Sequence, residues 1–228
     1  MYILSRLDGV PPESFQNQIR QLVIEQASAL SSVAIAADNP LYPLYQYSVG
    51  LEVHQYLQAL DGQRGLAVEL ILALDAEAPD RLLGFALALP AQDDPHTCAL
   101  AFLAVVPSHR REGIARGLLA DLRSRYACVE MSALPHTVPW FEAMGLQVVG
   151  AQAAHVLMSS SGKASDALIG RLDTATIYQT LEVRQIHAYL LKQHGDAAMI
   201  EAERARNERL DELELQAQAC AALRKQVH

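Results

Sequence analysis

The chain reads as an α/β (α+β) protein with a mixed, largely antiparallel central sheet flanked by helices and continued by a two-helix C-terminal extension. Three observations predict this. The apolar runs LAVELILALD (66–75), RLLGFALALP (81–90) and TCALAFLAVVP (97–107) are each about a strand long, and the short polar links AEAPD and AQDDPH suit hairpins better than crossovers. After Pro107 the apolar rhythm becomes helical, with Ile114, Leu118, Leu119, Leu122 and Tyr126. From Ser161 the strand signals stop and helix formers dominate.

Taken in order, MYILSRL is a short first strand. Phe15, Ile19, Leu22, Val23 and Ile24 follow Pro11-Pro12 with a helical rhythm, which predicts a helix from Glu13 to Leu30. The stretch Asn39-Pro40-Leu41-Tyr42-Pro43-Leu44-Tyr45-Gln46-Tyr47 is expected to be a loop, because its prolines interrupt regular structure, with a helix over Gly50–Leu60 after it. The three-strand meander comes next, then the helix after Pro107. CVEMSAL (128–134) is a buried strand and VPWFEAMG a short helix, while LQVVG and HVLMSS form two closing strands. Ile177, Leu181, Ile186, Tyr189 and Leu190 define a helix ended near Gly195. A last helix runs from about Asp196 towards Val227: its first half carries charges of mixed sign, and Leu210, Leu213, Ala217, Cys220 and Val227 mark a coiled-coil or packing seam. The expected division is a domain over 1–160 and a helical extension over 161–228.

With 228 residues and 51% hydrophobic content, the chain can bury a core without disulfide or metal staples. Apolar content this high, with a net charge of only −8, excludes a disordered chain. No run approaches the roughly 18 apolar residues of a membrane span, and MYILSRLDG lacks the basic start and apolar run of a signal peptide. Cys98, Cys128 and Cys220 are an odd, scattered set that suits a reducing cytoplasm. The 26 acids outnumber the 18 bases and no Lys/Arg block occurs, so no nucleic-acid or membrane partner is expected. His54 and His96 have no second ligand at useful spacing, so no metal is expected.

The stretch LAVVPSHRREGIARGLLADL (103–122) carries the chemistry. A strand runs into Pro107, a basic turn follows, and a helix starts near Gly113. That order aims backbone N–H groups and the positive end of a helix dipole at one spot, which is an anion site in outline. Gly113 lets a phosphate approach the backbone, Ala115 keeps the first turn open, and Arg110, Arg111 and Arg116 bring guanidinium groups suited to phosphate oxygens. A solvated basic turn is the plainer alternative for the two adjacent arginines.

Leu103-Ala104-Val105, Pro107 and Arg110-x-x-Gly113-x-Ala115, in this strand-to-helix setting, resemble the acyl-CoA-binding motif of the GNAT superfamily of N-acetyltransferases. The resemblance covers about residues 1–160. It implies that the backbone of Leu103, Ala104 and Val105 pairs with the pantetheine arm, and that the N–H groups of Arg111, Glu112, Gly113, Ile114, Ala115 and Arg116 hold the pyrophosphate. It also implies that strands 97–106 and 128–134 splay to seat the thioester, whose carbonyl a backbone N–H near Val105 polarises. Acetyl-CoA is the implied cosubstrate, and the implied reaction is direct attack by a primary amine of a small molecule or peptide.

The sequence departs from that family where an acid is expected. Many members carry a tyrosine four residues before the glycine of the short helix; here the position is Phe141, which donates no proton. Pro135 and Val138 replace the usual asparagine and alanine. This leaves a second reading, a catalytically weak acyl-CoA-binding or sensing module acting through its C-terminal helices. Glu69 interrupts an apolar strand and is a candidate general base, with an edge or solvent-facing carboxylate as the alternative. Ser132 and Cys128 share a parity on their strand and are candidate donors to the thiolate, or packing residues. Thr137 is expected to cap the short helix, after His136. Tyr42, Tyr45 and Tyr47 lie where the family builds its acceptor wall, or else pack over the sheet end. The C-terminal helices pack on the core, pair with a second copy to form a homodimer, or dock another protein.

Overall fold

The computed structural model describes residues 1–62 and 65–225. Val227 of the expected seam lies outside the described residues. The strands are β1 (Tyr2–Leu7), β2 (Glu69–Asp75), β3 (Leu82–Pro90), β4 (Thr97–Val105), β5 (Cys128–Ala133), β6 (Gln147–Gln152) and β7 (His155–Ser159), in one sheet ordered β1-β2-β3-β4-β5-β7-β6. The helices are α1 (Glu13–Glu25), α2 (Ala27–Leu30), α3 (Tyr42–Gln58), α4 (Ile114–Arg125), α5 (Val138–Glu142), α6 (Leu181–His194) and α7 (Asp196–Lys225). Short turns make β2, β3 and β4 antiparallel, whereas β4 and β5 are parallel because α4 carries the chain back between them.

The two faces of the meander follow the period of two. Leu70, Leu72, Phe85 and Leu87 meet Ile19 and Val23 of α1 and Val49 and Val53 of α3. Ile71, Ala73, Ala86 and Ala88 meet Ile114, Leu118, Leu119 and Leu122 of α4. With helices on both faces, β3 is buried along its length except at Pro90, which explains why its run is continuously apolar rather than alternating. Each fully buried leucine contributes roughly 1.5–3 kcal/mol.

Three helix boundaries differ from expectation. α3 begins at Tyr42, eight residues before Gly50, because Pro43 sits in the first helical turn, where its missing N–H costs nothing. The 13–30 helix is broken at Gln26, which leaves helical geometry at φ −111° and ψ 24°. Ile177 precedes α6 in a 3₁₀ turn, and α6 itself starts after Thr180, whose hydroxyl accepts the Val183 N–H. Thr137 occupies the cap position of α5, but its hydroxyl donates to the Leu134 carbonyl at 2.8 Å and caps no N–H.

Beyond β7 the chain crosses one end of the sheet. Ser165 N–H donates to Glu130, Leu168 N–H to Asp93, and Leu172 N–H to the Tyr56 hydroxyl. Val183 and Leu190 of α6 and Met199 and Ala202 of α7 then pack on Ile35, Leu41, Leu44 and Tyr45. Further along α7, Leu213 rests on Leu134 and Ala154, Ala217 enters the core beneath the sheet, and Arg224 pairs with Glu142 of α5. The expected seam is thus turned inward on its own sheet. Among the described residues no helix is long and apolar enough to cross a membrane.

Candidate active site

The strands β4 and β5 pair only over Thr97–Ala99 and Cys128–Glu130. Beyond those three pairs, Leu100–Val105 and Met131–Ala133 diverge. The divergence has a local cause in β4. Leu87 opposes Phe102 and Ala88 opposes Leu100, so Ala101 is an unopposed bulge that bends the strand. A slot open at the C-terminal ends of both strands results, where Leu103, Ala104 and Val105 stay in register with β3 but have no strand partner on the β5 side.

The turn after β4 stands at the mouth of this slot. Pro107–His109 form a 3₁₀ turn, Arg111 and Gly113 adopt positive φ of 67° and 81°, and α4 starts at Ile114. A side chain added at Gly113 would meet no atom within 4 Å, so the glycine is required by its left-handed backbone rather than by crowding. Gly113 caps α4 without any side-chain acceptor, and the first amide bonded back within the helix is that of Gly117, to the Gly113 carbonyl at 2.9 Å. The N–H groups of the preceding residues are free to hold an anion. Arg110, Arg111, Glu112 and Arg116 are exposed around them, and among the described residues none of the three arginines pairs with a carboxylate. Arg110 instead donates to Gln26 Oε1 at 2.7 Å, and Gln26 Nε2 donates to the Val105 carbonyl at 3.1 Å. Gln26 ties the basic turn to the end of β4. The only trace of this role in the sequence is a polar residue inside a helical rhythm.

The remaining candidates are not brought together. Glu69 lies on the α4 face, where Arg125 and Tyr126 each donate to its carboxylate at 2.5 Å. Burial, helped by the Glu69 carboxylate, pushes the Tyr126 hydroxyl above its ordinary range. Arg125 also reaches Asp121, which holds Arg6. Ser132 is exposed on the opposite face of the sheet from Glu69 and pairs in register with Leu157. Cys128 shares that parity but sits at the paired end of the slot, its Sγ 3.4 Å from the hydroxyls of Ser159 and Ser161. Burial pushes the Cys98 thiol up to about 12. Phe141 packs partly buried against the α4-side core, and Trp140 is exposed.

The tyrosines divide. Tyr45 is buried, meets the Tyr178 ring edge-on at 6.2 Å, and accepts from Arg206 at 3.0 Å, so the extension covers it. Sequence reading passed over Glu52, one turn before Tyr56 on α3. Burial raises its carboxyl to about 7 against an opposing pull from Arg171, and it lines a small pocket with Ser48 and Tyr178. Part of its surroundings, Thr174, Ile177 and Tyr178, comes from more than a hundred positions away. Among the described residues no three His, Cys, Asp or Glu converge as a metal set.

Residues 36–145 match the model of the Acetyltransferase (GNAT) family. No curated protein matches the sequence. The crystal structure of aminoglycoside 6'-acetyltransferase type Ii is similar in fold, with a TM-score of 0.51 and 19% identity, over 69% of this chain and 95% of that one. An aminoglycoside 6'-N-acetyltransferase solved with coenzyme A superposes with a TM-score of 0.50 and 18% identity, over 75% and 99% of the two chains.

Proposed function

We propose that this chain transfers an acetyl group from acetyl-CoA to a primary amine of a small molecule or peptide by direct attack. The observation that carries this reading is the divergence of β4 from β5 beside an uncapped α4 N-terminus, ringed by three arginines without carboxylate partners. The fold neighbour solved with coenzyme A supports the cosubstrate, and the aminoglycoside-acetylating neighbours support a small amine acceptor. The domain is the part over 1–160, and the helices after it form its extension.

The pantetheine lies along Leu103, Ala104 and Val105 as an added strand, and the pyrophosphate takes the free N–H groups of residues 111–116. Bound so, the thioester carbonyl lies in the slot, where backbone N–H donors of β4 stabilise the oxyanion. The amine nitrogen attacks the carbonyl carbon, the carbon–sulfur bond breaks, and the ammonium proton passes to water. Because the thioester is already activated, proximity supplies most of the acceleration. Phe141 donates nothing to the departing thiolate, which is therefore protonated by solvent or by the exposed hydroxyl of Ser132. Glu69, whose carboxylate is taken up by Arg125 and Tyr126, holds α4 on the sheet and is not assigned the base.

Calorimetric titration with acetyl-CoA tests the reading: one-site binding is expected, and no binding at millimolar ligand would overturn it. Thiol release with an amine panel then tests transfer. Binding without release would favour the sensing module that Phe141 suggests. Leu181, Tyr189, Ile200, Leu215 and Leu223 project outward from α6 and α7, which supports a homodimer. A Tyr189→Glu, Leu215→Glu variant is expected to halve the mass seen by light scattering.

A further inference from the structure

The segment Val33-Ala34-Ile35-Ala36 and the α7 positions Ala198, Ala202 and Ala205 bring short side chains face to face. They leave a cavity of about 370 Å³, within the roughly 300–1,000 Å³ typical of small-molecule sites. Its walls are held. Asn39 Nδ2 donates to the Ala202 carbonyl at 2.9 Å, while Asn39 Oδ1 accepts the Leu41 N–H at 2.8 Å. Ala34, in the wall, keeps a φ of 48°, a state that costs alanine about 1 kcal/mol or more and that the surrounding packing must maintain.

Four charged side chains reach this cavity, and two are already neutralised. Glu201 takes Arg204 in two hydrogen bonds of 2.7 and 3.0 Å, and Arg209 meets Glu212 at 3.3 Å. Asp38, by contrast, enters no ion pair among the described residues. Arg206 is held only by neutral acceptors, the Tyr45 hydroxyl and Asn207 Oδ1. The cavity therefore presents an apolar floor, one uncompensated carboxylate and one uncompensated guanidinium.

We propose that this cavity binds a short apolar zwitterion, an aliphatic dipeptide, with its ammonium at Asp38 and its carboxylate at Arg206. Apolar side chains of the dipeptide fill the alanine-lined floor, and each end meets the one charge in the cavity that the protein leaves unpaired. A neutral hydrophobe would leave both charges without partners, and an ion of one sign would satisfy only one.

The test is calorimetric titration of the full chain, without acetyl-CoA, with L-leucyl-L-leucine and with its N-acetylated and C-amidated forms. The free dipeptide is expected to bind one site, and each modified form to bind about tenfold more weakly or less. Asp38→Asn should weaken the free dipeptide about tenfold and erase its advantage over the N-acetylated form, while Arg206→Gln should do the same against the amide. Ala205→Trp, at an exposed position in the wall, should abolish binding. No saturable heat up to about 10 mM dipeptide, equal affinity for the three ligands, or an Ala205→Trp variant that binds normally would each overturn the proposal. Since acetyl-CoA takes no part, failure here leaves the transfer reading standing, and failure of acetyl-CoA binding leaves this one standing.

Discussion

Two arginine clusters stand at the two ends of α4 and behave oppositely. At the far end of α4, Arg125 and Arg6 are matched by Glu69 and Asp121, so the charges close on one another. At its start, Arg110, Arg111 and Arg116 find only Gln26. Compensated charge fastens α4 to β1 and β2; uncompensated charge is left open, and the anion proposed above would meet it. The same helix thus has a closed end and an open end, and pairing, not charge count, tells them apart.

That contrast can be broken at each end. The largest effect is expected for Gly113→Val, because a β-branched residue does not hold a φ of 81°. Acetyl-CoA affinity should fall about 100-fold by calorimetry, with little change in the unfolding midpoint. Next comes Glu52, a half-buried carboxyl that among the described residues takes part in no ion pair like the one Glu69 makes. Its folded pKa, about 7, stands above its ordinary 4.5, so the folded state holds the proton more tightly. The destabilisation is absent below about pH 4.5, grows as pH rises, and is complete above pH 7. Glu52→Gln should therefore gain about 2 kcal/mol relative to the parent between pH 5 and pH 8 in denaturant melts; parallel pH profiles would refute this.

Smaller effects separate the two clusters. Glu69→Ala leaves Arg125, only 24% exposed, without its main partner and should lose about 1–2 kcal/mol of stability while acetyl-CoA affinity stays unchanged. Arg116→Ala should do the reverse, with intact stability and affinity about threefold lower, a difference that shrinks as salt rises. If Glu69→Ala lowered affinity as much as Arg116→Ala, the division between the clusters would be wrong.

The strands and the basic turn were legible because their signals are local. Alternation, hairpin links and the Gly113 turn each occupy a few consecutive residues. α3 was misplaced because Pro43 acts as a breaker inside a helix and as a starter in its first turn, and composition alone does not distinguish the two. Gln26, Glu52 and Tyr45 take their roles from Arg110, Arg171 and Arg206, the first and last of these partners lying 84 and 161 positions away. Such pairings leave no periodic trace. The inward turn of Leu213 and Ala217 was hidden for the same reason, since a seam at threes and fours looks alike whether it meets a second chain or its own sheet.

The three-residue pairing of β4 with β5 has a mechanical consequence. It makes the sheet two leaves, one of β1–β4, in which hairpins join β2, β3 and β4, and one of β5–β7, joined by a short seam. The β2–β4 meander of the first leaf can form early from contacts close in sequence, while the second leaf depends on contacts made across α4 and with α7. α7 lies against the second leaf at Ala217 and against the α3 side at Ala202, so it acts as the clasp of a hinged book. Amides of β5–β7 should exchange with solvent as one cooperative unit, ahead of β2 and β3.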